Sequence, residues 1–462
     1  MTMKLKSIQF KHITHFTDTK IEFHYHDKPI TLILGDQGSG KTSLLRSTFL
    51  ALTWFSARYK DARTAGAVLS DQDIKQGRLQ SKIDIKVHIP TEIGSLPESI
   101  NSSEIETQIC DWQLYKTQTK ALAGHSKAET QKLEKLVTLY QKAMQLDPLQ
   151  GLPLIAYYPS ERFVHEINLI SKNNPAIFQA GNAYEITTIP YTTFARFFEW
   201  FREISDIENA QTTDLVNRLI ANQHGEDPHQ DLSAALINAY NQMHAPSLTA
   251  LKDTLATIFP ELTNIYLQYL PKLQLMVTYK GKSMMFQQLS NSLKNWIALV
   301  GDIVRRLCLL NTANLYPCLE GEGILLIDEI DQQLDQDECA TILARLNKAF
   351  PHVQIIVTGN RTELLENASD YQCLQLENQQ LHPILAPTLQ AEFDEIYQNL
   401  NLNLDDIETD ISEHIDHLQE PLDSAQSFFE LIRENLNEDQ QKNLIFLLNN
   451  RENASLEHKL HE

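Results

Sequence analysis

The chain has 462 residues, a net charge of −21 and a hydrophobic content of 42%, values typical of a globular protein with two or three compact units. No apolar run approaches the roughly 20 residues that span a membrane, and the opening MTMKLKSIQF lacks the apolar core of a secretory signal. We therefore expect a cytoplasmic protein without membrane contact. Five scattered cysteines without a CxxC pair argue against a disulfide framework and a zinc site.

Alternating apolar and polar residues mark the beginning of the chain. KLKSIQFKHITHF and KIEFHYH predict a strand hairpin, and the apolar run ITLIL predicts a central strand after it. The segment SLLRSTFLALTWF is helical, and SKIDIKVHI and CDWQLYKT indicate further antiparallel strands. We assign residues 1–125 to a first lobe.

The stretch GDQGSGKTS lies between that central strand and that helix, with glycine, lysine and threonine at the spacing of a phosphate-binding loop (P-loop). Glycines let the backbone wrap a phosphate at a helix N-terminus, where the dipole favours anions. Lys41 would contact the β and γ phosphates, and the Thr42 hydroxyl would bind Mg²⁺. The sequence predicts that ATP and Mg²⁺ bind a loop formed by Gly35, Asp36, Gln37, Gly38, Ser39, Gly40, Lys41, Thr42 and Ser43.

Residues 126–258 form a predicted, mainly helical insertion. Apolar residues recur at helical spacing in KAETQKLEKLVTLYQKAMQ, TTFARFFEWFREISDIENAQ and LSAALINAYNQM. One strand-like stretch, LPLIAYYPSER, could return to the sheet of the first lobe, and Arg162 at its end could contact a phosphate.

Residues 259–387 form a predicted second lobe. NIYLQYL and KLQLMVTYKGKSMMF indicate strands, SLKNWIALVGDIVRRLCLL a long helix, and GILLIDEID and HVQIIVTGN buried parallel strands. The first of these buried strands ends in two acids, where a P-loop ATPase needs them. Asp328 would hold Mg²⁺, and Glu329 would act as the general base that polarises the attacking water.

The C-terminal region, residues 388–462, is acidic and predicted to be helical. From Ala391 onward there are 18 acidic and 4 basic residues, a net charge of −14, which leaves −7 for the first 390 residues. Segments such as LDSAQSFFELIRENL are amphipathic, so this region could dock a basic partner or fold back onto its own chain.

The segment FQQLSNSLKNWIALVGDIVRRL resembles the signature segment of ABC and SMC-like ATPases. The resemblance implies that a helix beginning near Leu289 and Ser290 presents its N-terminus to the γ-phosphate held by another subunit, so that ATP joins a homodimer or higher oligomer. The predicted fold class is α/β, an ABC/SMC-like P-loop ATPase head with a helical insertion and an acidic helical C-terminal region.

The chain further resembles the retron-associated ATPases of the Septu PtuA type. The segments that support this are IPYTTFARFFEWFREISDIENAQ, LSNSLKNWIALVGDIVRRL, ILLIDEIDQQLD and IIVTGNRTELLE. The resemblance implies an antiphage defence effector with the small HNH nuclease PtuB as partner, and with the retron reverse transcriptase and its DNA–RNA product as sensor.

Two positions depart from the pattern of these relatives. Asn291 and Ser292 follow Ser290 where relatives usually have a glycine, and a Cβ there restricts the approach of the backbone to a phosphate. Asn360 stands where a switch histidine is expected; it can hydrogen-bond a γ-phosphate but cannot take up a proton. We therefore predict slow hydrolysis, with ATP acting mainly as a clamp.

Nucleic acid should be bound through partners, because a net charge of −21 repels it. Local candidates for direct contact are Arg305, Arg306, Lys60 and Arg63, although paired arginines on a helix also form intramolecular salt bridges. Two other functions stay open: a RecF/SMC-like DNA repair ATPase, and a non-hydrolysing ATP-binding scaffold.

Overall fold

A computed structural model of the chain describes residues 3–96, 108–119, 122–147, 149–164, 180–184, 194–222, 246–366 and 368–384. Met1–Ile384 form one compact unit and Leu385–Glu462 a second. The predicted acidic helices and the predicted helix LSAALINAYNQM lie outside the described residues. The division of the first unit at residues 125 and 258 remains a prediction.

The described residues of the first unit contain the following β-strands. They are β1 (Lys4–Ile13), β2 (Phe16–Glu22), β3 (Ile30–Leu34), β4 (Gln80–His88), β5 (Ile109–Thr119), β6 (Leu122–Glu129), β7 (Leu154–Tyr158), β8 (Leu262–Gln268), β9 (Gln274–Tyr279), β10 (Lys282–Met285), β11 (Gly323–Ile327), β12 (Val353–Gly359), β13 (Tyr371–Glu377) and β14 (Gln380–Pro383).

Helices connect these strands. They are α1 (Lys41–Lys60), α2 (Gln131–Leu146), α3 (Ala195–Asn222), α4 (Pro246–Ile258), α5 (Asn291–Leu310), α6 (Pro317–Glu320) and α7 (Gln336–Ala349). Among the described residues, no helix combines the length and hydropathy needed to cross a bilayer.

A six-stranded sheet has the order β14-β13-β3-β12-β11-β7. Its strands are parallel except for β14, which pairs antiparallel at one edge. Every residue of β3, β11 and β12 is buried, as expected for parallel strands covered on both faces. The predicted central strands are therefore confirmed. The stretch LPLIAYY does return to this sheet, as its other edge strand β7.

An antiparallel sheet of order β2-β1-β4-β5-β6 contains the predicted opening hairpin. Gln354 of β12 connects this sheet to the parallel one, because its side-chain amide accepts a hydrogen bond from the Leu5 N–H (2.6 Å) and donates one to the Leu5 carbonyl (3.1 Å). A third sheet, β10-β9-β8, contains the predicted hairpin turn at Lys280 and Gly281, both at positive φ.

The start of the predicted helix KAETQKLEK is a strand instead. Lys127, Ala128 and Glu129 belong to β6 and pair with β5, and α2 begins only at Gln131. The helical spacing of the following residues extended the predicted helix too far, because strand pairing with a distant segment overrides local propensity. The five cysteines are free and buried.

Gly301 allows α3 and α5 to pack closely. An ideal Cβ at this position would lie 2.2 Å from an atom of the Phe197 ring, and that ring is fully buried. We expect Gly301→Ala to lower the free energy of unfolding by about 1–3 kcal/mol through overpacking, measured by urea denaturation. Gly181→Ala is the matched control, since no described atom lies within 4 Å of its added Cβ. Equal stability of both variants would contradict the packing argument.

Candidate nucleotide site

The predicted P-loop connects β3 to α1. Gly40 is the N-cap of α1 and lies at φ 109, and Gly38 lies at φ 79, a region that side chains other than glycine rarely adopt. An ideal Cβ on Gly40 would also lie 2.3 Å from Nε2 of His15. Glycine at residue 40 is therefore required by both backbone conformation and the neighbouring imidazole.

The beginning of α1 is suited to bind an anion. The Leu44 N–H is the first to close a helical hydrogen bond, to the Gly40 carbonyl at 2.9 Å. The preceding N–H groups, from Lys41 to Ser43, have no acceptor within the helix and carry the positive end of its dipole. The loop thus has the geometry that the motif predicts for phosphate binding.

Lys41 is buried, and its ammonium folds onto the loop. Nζ donates hydrogen bonds to the carbonyls of Gly35 and, at 2.9 Å, Asp36. Burial lowers the pKa of Lys41, and the carboxylates of Glu329 and Asp328 oppose that shift. The lysine therefore lies in the electrostatic field of acids nearly three hundred residues away in sequence.

Asp328 follows β11 and is 0% exposed. Its Oδ1 accepts a hydrogen bond from the Thr358 hydroxyl at 2.6 Å, whereas Oδ2 is buried without a hydrogen-bond partner among the described residues. A buried carboxylate oxygen with free lone pairs is a suitable ligand for Mg²⁺ or its bound water. Asp328 and the exposed Thr42 hydroxyl would hold the ion, which would neutralise phosphate charge when bound.

Glu329 is half-buried and has a left-handed backbone, with φ 47. Its N–H donates to the Thr358 hydroxyl at 2.9 Å, and its carbonyl accepts from Arg162 at 2.8 Å. Burial and the neighbouring Asp328 raise the pKa of Glu329, which makes the carboxylate a stronger base. These properties suit the predicted role of proton acceptor from an attacking water.

Thr358 is a site residue that the sequence analysis missed. It lies near the end of β12, between β3 and β11, and its hydroxyl joins the Asp328 carboxylate to the Glu329 backbone. The only signal in the sequence is a polar residue closing the buried apolar run VQIIVT. Its role depends on which strands are neighbours.

Asp331, also missed, organises the loop after β12. Its Oδ2 accepts hydrogen bonds from the N–H groups of Asn360 (2.7 Å) and Arg361 (2.9 Å), and its Oδ1 is buried without a partner among the described residues. The Asn360 residue is exposed. The role of Asn360 toward a γ-phosphate stays a prediction.

Ser290 is the N-cap of α5. Its hydroxyl accepts a hydrogen bond from the Leu293 N–H at 3.2 Å, and the residue is exposed. Ser292, one of the departures, donates its hydroxyl to the Gln333 carbonyl, and Asn295 donates to the Gln333 side chain at 2.9 Å. Binding of Ser290 to a nucleotide in another subunit stays a prediction.

Arg305 and Arg306 do not form a nucleic-acid surface. Both guanidinium groups donate to the Asp302 carboxylate at 2.8 Å, and Tyr158 donates to it at 2.8 Å. Burial alone would raise the pKa of Asp302, but the two guanidiniums outweigh it and hold that pKa well below its usual range. The nucleic-acid hypothesis for this pair is wrong, because both charges are used in an internal ion pair.

Arg162 does not occupy the position predicted for it. Its terminal nitrogens donate to three backbone carbonyls, those of Pro159, Asp328 and Glu329. Burial lowers its pKa to about 10, so the guanidinium is charged at neutral pH. The sequence did not predict that Arg162 contacts the backbone of the two acids and not a phosphate.

Gly40→Ala should weaken ATP binding at least about tenfold, because the new Cβ adds left-handed strain and a clash with His15. Titration with a fluorescent ATP analogue measures this. Gly38→Ala is the matched control, since its Cβ meets no described atom within 4 Å and adds strain alone. The double variant His15→Ala/Gly40→Ala should recover part of the lost affinity; equal losses in all three would refute the clash.

Thr358→Val should lower kcat for ATP hydrolysis by about 10–100-fold with the Kd for ATP changed less than about threefold, because the hydroxyl positions the acids rather than the phosphates. Steady-state hydrolysis and nucleotide titration measure the two constants. Thr31→Val is the matched control: Thr31 is a buried threonine of β3 whose hydroxyl bonds to Gln372 at 3.2 Å. A similar loss of kcat in the control would attribute the effect to the sheet in general.

Comparison with known proteins identifies a family and several curated relatives. A family model described as an AAA domain matches residues 7–263. The chain is 27% identical over 386 residues to the Retron Ec83 probable ATPase of Escherichia coli, covering 76% of this chain and 68% of that protein. It is 25% identical over 393 residues to the Retron Vc95 probable ATPase of Vibrio cholerae serotype O1 biovar El Tor, covering 80% and 73%.

Among solved structures, the Smc head domain with an extended coiled coil, bound to the C-terminal domain of ScpA derived from Pyrococcus furiosus, aligns with a TM-score of 0.43. The sequence identity is 12%, over 86% of this chain and 100% of that one. The family match covers more than half of the chain, and the P-loop strand, parallel sheet and acidic strand end agree with the predicted fold class. The chain therefore belongs to the AAA domain family, and its fold is α/β, with the P-loop between β3 and α1.

Proposed function

We propose that this protein is the ATPase subunit of a retron antiphage defence system that controls an HNH nuclease of the PtuB kind. In this proposal the retron reverse transcriptase and its DNA–RNA product hold the complex inactive until infection. The main support is the assembled site, in which Thr358 joins Asp328 and Glu329 beside the P-loop. The names of the two curated relatives, both retron probable ATPases, support the biological setting.

In the proposed ATP hydrolysis, each residue of the site has a separate role. The N–H groups at the start of α1 and the Lys41 ammonium bind the phosphates. Thr42 and Asp328 would hold Mg²⁺, which would neutralise phosphate charge when bound. Glu329 accepts the proton of the attacking water, and burial strengthens it as a base.

ATP would also join two subunits through the N-terminus of α5. Ser290 is exposed there and caps a 20-residue helix, so the hydroxyl and the helix dipole can meet a phosphate of a second copy. The Ser292 side chain is committed to the Gln333 carbonyl of its own chain. A serine in place of the usual glycine, together with Asn360, supports slow hydrolysis and a clamp-like use of ATP.

The nuclease partner would bind the acidic C-terminal region. That region has a net charge of −14 from Ala391 onward, which attracts a basic protein. Its sequence places Phe428, Phe429, Leu431 and Ile432 among acidic residues, a pattern suited to an amphipathic contact. Contact with nucleic acid would then run through the partners.

Co-purification from the native locus tests this proposal, with wild type compared with Lys41→Ala and Glu329→Gln by mass spectrometry and nucleic-acid analysis. We expect an HNH protein, a reverse transcriptase and a DNA–RNA hybrid with wild type and Glu329→Gln, and a depleted complex with Lys41→Ala, which loses ATP binding. Glu329→Gln should reduce hydrolysis at least about 100-fold while retaining ATP.

Lys20→Ala is the control, because that lysine is exposed on β2 and pairs with Glu22. It should behave as wild type. Recovery of the ATPase alone on DNA, with no nuclease, would replace the defence proposal with the repair function.

A further inference from the structure

Arg162 is a buried cation that contacts the backbone of the two acids of the nucleotide site. It is 6% exposed, and it lies just after β7, the strand next to β11. Nη1 donates to the Asp328 carbonyl at 2.6 Å and to the Pro159 carbonyl at 2.9 Å, and Nη2 donates to the Glu329 carbonyl at 2.8 Å. One guanidinium thus bonds two consecutive carbonyls of the segment that contains the proposed base.

The backbone at Glu329 needs such support. A left-handed conformation costs a non-glycine residue about 1–2 kcal/mol, and Glu329 adopts it at φ 47. This conformation turns the chain at the end of β11 and determines where the carboxylate points. A strained backbone persists only where the surrounding structure overdetermines it.

Hydrogen bonds hold the Glu329 backbone from both neighbouring strands. On the β12 side, the Glu329 N–H bonds the Thr358 hydroxyl and the Ile330 N–H bonds the Thr358 carbonyl at 2.8 Å. On the β7 side, Arg162 donates hydrogen bonds to the carbonyls of Asp328 and Glu329. Among the described residues, no other side chain does so. The planar fork of arginine can bond two carbonyls at once, which the single ammonium of lysine does less well.

The same short segment contacts the signature-like helix. The Val164 N–H donates to the Asn295 side chain of α5 at 2.8 Å, and Asn295 also donates to Gln333. The residues from Pro159 to Val164 therefore lie between α5 and the acids. Arg162 is the member of this segment that bonds to the base-bearing loop.

We propose that Arg162 is a positioning residue for ATP hydrolysis: its guanidinium holds the left-handed backbone of Glu329 and so aims that carboxylate at the attacking water. The inference rests on the proposed ATPase function of the P-loop site. It assigns to Arg162 an effect on the chemical step and not on nucleotide binding, since its hydrogen bonds go to the backbone of the acids and not to the P-loop.

The test compares Arg162→Ala and Arg162→Lys with the control Arg305→Lys. Arg305 is also a buried arginine, but it donates to the Asp302 carboxylate and not to the backbone of the acids. We expect Arg162→Ala to lower kcat at least about 30-fold with KM changed less than about threefold, and added guanidinium to restore part of that loss. Arg162→Lys should lose less, and Arg305→Lys should keep kcat within about threefold.

Hydrogen exchange of the peptide spanning residues 327–332 gives a readout that does not depend on activity. Exchange there should be faster in Arg162→Ala than in Arg305→Lys, with thermal melts confirming that both remain folded. If Arg162→Ala does not fold, Arg162→Lys replaces it in every comparison. Unchanged kcat, a loss expressed mainly in KM, or unchanged exchange would each overturn the proposal. Absence of hydrolysis in wild type would overturn the ATPase proposal and with it the role of Arg162 in hydrolysis. The exchange comparison would then still decide whether Arg162 holds the Glu329 backbone.

Discussion

The nucleotide site depends on the position of β12 between β3 and β11. The P-loop follows β3 and the two acids follow β11, so their chain segments meet only because parallel strands end at the same edge of one sheet. Neighbouring strands lie about 4.8 Å apart, which separates the two halves of the site by ~10 Å. The Thr358 hydroxyl, on the strand between them, donates to the Asp328 carboxylate and accepts from the Glu329 N–H.

A second set of contacts connects α5 to β7 and hence to the same edge of the sheet. In the middle of α5, Asp302 forms a buried ion pair with Arg305 and Arg306 and also accepts from Tyr158 of β7. Removing Asp302 would leave the two guanidiniums without their buried counter-charge and cost about 3–5 kcal/mol. At the start of α5, Ser292 and Asn295 bond the loop that follows the acids. The helix that would meet another subunit is therefore joined to the catalytic edge at both its beginning and its middle.

Two strained backbone positions lie in the loop that carries the proposed base. Glu329 and Gln333 are non-glycine residues at positive φ within one loop. Each is held by side chains from other elements: Glu329 by Thr358 and Arg162, and Gln333 by Ser292. In the P-loop, the residue at positive φ is a glycine, Gly40. A Cβ at this position would also clash with His15. Positive φ is therefore stabilised by side-chain hydrogen bonds in the loop after β11, whereas in the P-loop it is adopted by a glycine.

The sequence by itself determined the P-loop, the buried strands β3, β11 and β12, the helix α5, and the acids Asp328 and Glu329. Each is a local pattern, in which glycine spacing or apolar periodicity specifies the conformation. Only the tertiary structure decided the neighbours of those elements. It showed Thr358 and Asp331 as site residues, moved Arg162 from a phosphate to the backbone of the acids, and buried the arginines of α5 against Asp302. These roles come from hydrogen bonds and charges between segments far apart in the chain, and no local pattern encodes which segments will meet.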